Sequence, residues 1–317
     1  MGRERNSLDI AWEGATAKSW NASYSEALYA PLQQSFAFGE VIRRHKGRVR
    51  RAVIARQGTP VALAQVAIRR LPGLQLATII MGPLWLVPAD TDMRADALKL
   101  LQRTCPVKGL TLLMAMPPEA EESAEQMLRL RRIVSPYHTI LLDLRPDEET
   151  LRGALDGKWR NRLNVAERGE LRVTPLGRRP EQYAWLLQRE VEQRRARGYR
   201  ALSPGLVPTL QELAGKESVL GVEAKLGGDR AGGMLFLRHG STATYHIGWS
   251  SPDGREENAS NLLLWQAIRL LKKKGVATLD LGGVDTDHAP GLAHFKLGLG
   301  GRPLSQSGTW LLRPKLF

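Results

Sequence analysis

The chain has 317 residues, long for one hydrophobic core and suited to two domains of about 150. Hydrophobic content of 43% is ordinary for a globular protein, no apolar run reaches the ~18 residues that a spanning helix needs, and the N-terminal MGRERNSLDIAWEG lacks the apolar region of a signal peptide. Cys105 is alone, which excludes an intramolecular disulfide and fits a reducing cytoplasm, and 46 Lys+Arg against 32 Asp+Glu (net +14) favours tRNA, diphosphate groups or an anionic membrane face as partners, an arginine-rich composition being the plain alternative.

Residues 1–30 begin irregularly, although Ser25 to Tyr29 could start a helix. Within Gln34 to Arg43, Phe36, Phe38, Val41 and Ile42 fall at partly helical spacing. The run RRHKGRVRR, Arg43 to Arg51, then holds six Lys or Arg in nine residues, as a phosphate contact or a solvated turn would. Ala52 to Ala55 and Val61 to Ile68 flank Gln57-Gly58-Thr59-Pro60 as a β-hairpin. The strand Leu76 to Ile80 leads into Met81-Gly82-Pro83-Leu84-Trp85. Thr91 to Thr104 is a helix with an apolar stripe of Ala95, Leu98, Leu100 and Leu101, and Leu110 to Met116 is a buried strand. A helix from Glu119 to Leu130 and a strand from Thr139 to Leu144 are expected to complete a first unit.

Asp147 to Arg168 reads as one long helix that begins after Pro146 with an acidic first turn. In it Lys158, Arg160, Arg162 and Arg168 alternate with Trp159, Leu163 and Val165, a spacing that places Lys158, Arg162 and Val165 near one face and separates basic from apolar sides only in part. It is either a structural helix with solvated arginines or a contact for nucleic-acid phosphates. Gln182 to Arg197 is a further helix, stopped by Gly198. Val219 to Lys225 and Ala231 to Leu237 flank Gly227-Gly228-Asp229-Arg230, repeating the earlier strand, glycine turn, strand order about 170 residues on, which suggests a duplicated fold. Thr242 to Trp249 is a strand carrying Tyr245, a core aromatic or a substrate-facing one, and Asn258 to Lys274 is an amphipathic helix. Val276 to Leu281 ends at Gly282-Gly283; a loop with Asp285, Asp287 and Pro290 follows, and the chain returns through His294-Phe295-Lys296 to glycines 298, 300 and 301. So little Cβ around one lysine suits close approach of a bulky ligand, or a compact return to a sheet. Thr309 to Leu312 is a final strand, expected to cross back to the first unit.

The order strand, D-x-G-G, acidic loop, G-x-x-x-F-K-x-G-x-G-G, strand, set by Asp280, Gly282, Gly283, Phe295, Lys296, Gly298, Gly300 and Gly301, resembles the closing segment of the FemABX family. Its members move an amino acid from aminoacyl-tRNA onto the peptide of a cell-wall precursor. Gln34 to Gly39 resembles the family's Q-S-x-x-W-G helix with Phe38 at the aromatic position, Met81 to Trp85 its G-P segment, and KWRNRLNVAERG its K-x-R-x-x-I-R-x-A signature. The resemblance implies an α/β chain of two tandem acetyltransferase-like (GNAT-like) domains with mixed sheets and a cleft between them, 1–143 completed by 303–317, and 144–302. It further implies that Arg43 or Arg44 contacts precursor phosphates, that Arg195 and Tyr199 bind the precursor (with Arg194 and Arg197 competing), and that Tyr245 faces the peptide. Lys158, Arg160 and Arg162 would contact tRNA, and Lys296 with Phe295 would form the catalytic segment. The partners implied are aminoacyl-tRNA and a UDP-linked or lipid-linked muropeptide precursor, met by a cytoplasmic monomer at or near the inner membrane face, without a cofactor. Two features depart from the family: Met116 stands where many members carry an acid before a proline, leaving the proton acceptor unassigned, and there is no room for a coiled-coil arm, so tRNA contact falls to the globular body.

Aminoacyl transfer joins an amine to an already activated ester, so positioning and oxyanion stabilisation suffice. Lys296 fits that demand unless it is a surface lysine on a turn. There is no G-x-S-x-G elbow and no P-loop, and His288, His294, Asp285 and Asp287 match no metal-ligand spacing. The rival enzyme is an acyl-CoA-dependent or other N-acyltransferase of polysaccharide or natural-product biosynthesis. Lys272 to Ala277 approaches the spacing of a CoA phosphate loop but lacks its first Gln/Arg and precedes a strand. A basic RNA-binding protein would explain the charge but not the glycine segment.

Overall fold

The computed structural model describes residues 7–27, 29–118, 128–198 and 203–312. The chain divides into two compact units, Met1–Tyr137 with Ser305–Phe317, and His138–Leu304, and each is built on a mixed sheet with helices.

In the first unit the strands are β1 (Leu8–Trp12), β2 (Arg48–Arg56), β3 (Thr59–Leu71), β4 (Leu74–Ile80), β5 (Leu84–Trp85), β6 (Thr111–Met116), β7 (Arg131–Val134) and, from the end of the chain, β15 (Thr309–Leu312). They run in the order β1-β2-β3-β4-β6-β15-β7, with β5 on β3. Only the β4–β6 pair is parallel, and the helix Thr91–Thr104 makes the crossover such a pair requires. That helix starts where Asp90 accepts from Met93 N at 2.8 Å, and it lays Ala97, Leu98 and Leu101 against Ile54, Val66, Ile79 and Leu113 of the sheet. The start of the chain is more regular than its sequence suggests: β1 pairs with β2, and Thr16 and Ser19 form a capping box for the helix Ala17–Ser25, which buries Trp20 and Tyr24. Ser25 is the end of that helix, not the beginning of one.

The QSFAFG segment has a physical explanation. Gln34 accepts from Gln65 N and donates to Ile80 O, stitching a short helical turn to β3 and β4, while Ser35 caps the helix Phe36–Arg44 through Phe38 N. Arg51, 3% exposed, belongs to this same buried network: it donates to Gln65 Oε1 (2.8 Å), Glu40 (2.9 Å) and Phe36 O (3.0 Å), and its guanidinium lies 3.6 Å from the Phe36 ring centroid. The basic run therefore ends in the core and is more than a solvated turn.

The strands of the second unit are β8 (His138–Asp143), β9 (Arg172–Leu176), β10 (Val219–Leu226), β11 (Asp229–His239), β12 (Thr242–Ser250), β13 (Thr278–Asp280) and β14 (Arg302–Ser305), in the order β14-β8-β13-β12-β11-β10-β9. The strand near 139–144, expected to close the first unit, pairs antiparallel with β13 instead, Leu142 opposite Leu279, so the chain passes into the second unit at His138. Arg302–Ser305 likewise pairs in the second sheet before β15 pairs with β6 and β7 in the first. The single helix expected over 147–168 is two, Glu148–Gly153 and Gly157–Arg168, because Asp156 leaves the helix to cap the second one through Lys158 N (2.9 Å) and Trp159 N (3.3 Å). The second buries Trp159, Leu163 and Ala166 while Lys158, Arg162 and Val165 are exposed, a cleaner division than the sequence pattern showed. The helix expected over Glu119 to Leu130 lies, for 119–127, outside the described residues.

A Cβ on Gly39 would lie 2.1 Å from Gln65 Oε1 and 2.4 Å from an Arg51 guanidinium nitrogen, two atoms pinned by the network above. Gly39→Ala gains about 1 kcal/mol of helix propensity but must break charged hydrogen bonds, so a net loss of about 2 kcal/mol is expected in urea unfolding. A midpoint unchanged or raised would show that the network yields freely.

Candidate functional site

The segment that carries Lys296 is a helix, Pro290–Leu297, where the sequence suggested a loop. Pro290 starts it at a position where no backbone donor is needed, and its inward positions are Ala293 and Lys296. Lys296 is 5% exposed, so it is not a surface lysine on a turn. Its Nζ donates to Gly283 O at 2.7 Å and stands 5.4 Å from the Tyr245 ring centroid. Burial pushes the Lys296 ammonium down to about 8, against the opposing pull of Asp280. Asp280 is itself buried at the end of β13, where it accepts from Gly282 N (2.9 Å) and from the hydroxyl of Thr139 on β8.

The glycines after the helix serve the protein's own packing. A Cβ on Gly298 would meet Trp159 Cδ1 at 2.9 Å, and one on Gly300, which sits at φ +75°, would meet Ala154 O at 2.7 Å. Trp159 donates from Nε1 to Phe295 O (3.0 Å), and its ring stacks on Phe295 with centroids 5.9 Å apart. Phe295 thus joins the Lys296 helix to the helix bearing Lys158, Arg160 and Arg162. Lys158 and Arg162 are exposed there and Arg160 is half-buried. The compact return to a sheet, rather than room for a bulky ligand, accounts for these glycines.

Tyr245 lies on β12 at the place where that strand loses its neighbour. The parallel pairing of β12 with β13 spans only 242–244 against 278–280, while β12 continues to Ser250. The β11–β12 register slips at the same point, Phe236 opposite Tyr245 and Leu235 opposite Ile247, so His246 is the extra residue of a β-bulge. Bulges re-aim side chains, and this one adjoins Tyr245, whose ring packs edge-on to Phe236 at 5.6 Å. Burial pushes the His246 imidazole down to about 4, which keeps it uncharged near neutral pH. Sequence reasoning passed over His246; its one signal is its place beside Tyr245.

The other expected residues lie apart from this cluster. Arg195 is exposed on the helix Pro180–Arg197, which ends at Gly198 in the left-handed conformation, and Tyr199 lies outside the described residues, as does the side chain of its competitor Arg197. Arg43 and Arg44 belong to the first unit, in the last turn of Phe36–Arg44, where Arg43 bonds Glu40 (3.3 Å) and Val49 O (3.2 Å). The stretch Lys272 to Ala277 is no phosphate loop: it ends the helix Ala259–Lys273, and Lys272 Nζ donates to the carbonyls of Leu144 and Pro146. Among the described residues no group of three or more His, Cys, Asp or Glu could hold a metal ion, and no helix is long and apolar enough to cross a membrane.

Residues 157–296, which run from the Trp159 helix to Lys296, match the family model described as an acetyltransferase (GNAT) domain. Comparison with curated proteins finds no match. Among solved structures the chain is similar to FemX (TM-score 0.77, 13% identity, 95% of this chain and 96% of that one). It is also similar to a tandem GNAT protein from the clavulanic acid biosynthesis pathway (TM-score 0.55, 15% identity, 98% and 100%) and to the C-terminal domain of a putative lysylphosphatidylglycerol synthetase from Agrobacterium fabrum (TM-score 0.53, 14% identity, 92% and 92%). At these identities the likeness is one of fold. The chain has a FemX-like fold, an α/β architecture of two GNAT-like domains in tandem.

A lysine titrating near 8 in the folded state and near 10.5 when unfolded opposes folding below pH 8, and the opposition fades as pH rises through 10.5. Lys296→Met should therefore raise stability at pH 7 by up to about 2 kcal/mol, less as pH approaches 10. Urea unfolding at the two pH values checks this; a variant less stable than wild type at pH 7 would show that the bond to Gly283 O outweighs the burial of charge.

Proposed function

We propose that the protein is an N-acyltransferase that moves an amino acid from aminoacyl-tRNA to an amine of a peptidoglycan precursor peptide. The observation that carries this reading is the buried Lys296, held by Gly283 O beside Tyr245 where β12 and β13 part. With the group titrating near 8, roughly nine tenths of it is ammonium at pH 7. As the acceptor amine attacks the ester carbonyl, that ammonium faces the oxyanion as it forms, and low exposure strengthens the attraction. The ester C–O bond then breaks, the ribose oxygen of the tRNA end takes a proton, and the amine loses one. The acceptor of that proton stays unassigned, because burial makes the imidazole of His246, next to Tyr245, a weak base. Tyr245 faces the peptide, Arg195 and Tyr199 hold the anionic precursor, and Lys158, Arg160 and Arg162 contact tRNA phosphates. Phe295 positions Lys296 through its stack on Trp159.

The acyl-CoA alternative finds less support. Such a donor needs a glycine-rich, cationic turn at the start of a helix to hold its diphosphate. The segment that leads from β12 into the helix Ala259–Lys273 instead sets Asp253, Glu256 and Glu257 against one cation, Arg255, and has one glycine, Gly254; the Asn258 side chain makes no cap there.

Lys296→Met should lower single-turnover transfer from preformed aminoacyl-tRNA by about two to three orders of magnitude while precursor affinity changes little. In wild type the rate should fall as pH passes about 8, where Lys296 loses its proton. A near wild-type rate constant in the variant would make Lys296 a bystander. Binding of tRNA should weaken steeply with salt as phosphate contacts release counterions, and Arg195→Ala should weaken the precursor without this loss. A tRNA affinity flat between 50 and 200 mM salt would remove Lys158, Arg160 and Arg162 from the interface.

A further inference from the structure

The register of the first sheet brings three connections to one end. β2 begins at Arg48 opposite Ile68, the β3–β4 hairpin closes at Leu71 opposite Leu74, and β6 begins at Thr111 opposite Gln75. The chain before β2, the hairpin tip and the turn before β6 are therefore neighbours. The hairpin extends three residues past its last pair with β2, roughly 10 Å at the rise of a strand. Gln75 ties the parts together: its N donates to Leu110 O at 2.9 Å and its Oε1 accepts from Arg48 at 3.3 Å.

Residues 44–48, 69–74 and 106–110 contain six Lys or Arg (Arg44, Lys46, Arg48, Arg69, Arg70 and Lys108) and no Asp or Glu, so these three connections are strongly basic. Among these cations stand apolar side chains facing water: Leu110 is 53% exposed, Leu71 is 37% exposed, and Pro72 between them in the hairpin tip is exposed too. One leucine held out at a hairpin tip and another on the neighbouring turn before β6, both among cations, are an arrangement that a water-facing surface does not favour.

We propose that this end of the first sheet docks on an anionic lipid surface, with Leu71 and Leu110 entering the boundary between headgroups and acyl chains and the six cations meeting lipid phosphates. The charge supplies attraction within a Debye length, and the leucines supply the short insertion that charge alone does not. An RNA surface fits less well, because RNA modules present several aromatic rings for base stacking and these three segments contain no Phe, Tyr or Trp, with His45 as their one aromatic ring. The docking does not depend on which group the protein transfers.

The test is sedimentation of the full chain with vesicles of phosphatidylglycerol and phosphatidylcholine, set against vesicles of phosphatidylcholine alone, at low and moderate salt. Wild type should bind the anionic vesicles at least tenfold more tightly than the neutral ones, and less well as salt rises. The double variant Arg69→Glu, Arg70→Glu should lose tenfold or more, and Leu71→Asn with Leu110→Asn several-fold, with unchanged circular dichroism melts, since all four side chains are exposed. Wild type that stays in the supernatant with anionic vesicles overturns the proposal. So does a charge variant that binds vesicles like wild type, whether or not it has lost affinity for tRNA.

Discussion

The ammonium of Lys296 sits where little water reaches it, with one carbonyl, Gly283 O, as its hydrogen-bond acceptor among the described residues and the field of Asp280 as its main electrostatic support. A buried charge so lightly satisfied opposes folding, and the surroundings hold it in place. Thr139 reaches from β8 to Asp280, which ties the first strand of the unit to its central parallel pair; Asp280 turns back on Gly282 N and sets the carbonyl that Lys296 meets. On the other side Trp159 fastens the Lys296 helix from outside by stacking on Phe295 and bonding its carbonyl. Removing the lysine relieves a cost the fold carries, which is the usual mark of a group kept for chemistry.

Arg51 in the first unit shows the contrast. It too is buried, and burial pulls its guanidinium down from its ordinary value, but Gln65, Glu40, the Phe36 carbonyl and the Phe36 ring surround it. Three hydrogen bonds and the face of the Phe36 ring hold it, so this cation acts as a strut under the QSFAFG segment. Lys296, a point charge with three donors, makes one hydrogen bond among the described residues, to Gly283 O. Two tandem units of similar architecture thus hold their buried cations in opposite states of satisfaction.

Strong periods were legible in the sequence. The helix Thr91–Thr104 and both glycine-turn hairpins lie where spacing placed them, because alternation and helical stripes survive whatever the rest of the chain does. Elements decided by distant contacts were not. Asp156 breaks the helix before Trp159 because Asp156 N donates to Gly298 O, a partner 142 positions away in the chain (298 − 156). The strand at 138–143 joins the second sheet because Thr139 meets Asp280, and nothing local to 139 says so. Pro290 with Gly291 reads locally as loop, yet proline at the first helical position is at home. The glycines at 298 and 300 were conspicuous, but only the packed Trp159 and Ala154 show that the protein itself, rather than a ligand, occupies the space.

If the glycines serve packing, they report on chemistry only indirectly: they let Trp159 press on Phe295, and Phe295 precedes the one residue of the segment that packing does not explain. A purely structural segment would place a leucine at 296, as it does at Leu299, which is buried without cost in the same core. Near where β12 leaves β13, the second unit sets the Lys296 ammonium, carried on the helix Pro290–Leu297, beside the face of Tyr245, and His246 follows Tyr245 in the bulge. In the proposed transfer an activated ester meets an amine, a reaction that asks for little beyond holding the two together. In that proposal the affinity for a large anionic donor falls to exposed side chains such as Lys158 and Arg162, which share a helix with Trp159 and so are tied to the Lys296 helix by the stack on Phe295.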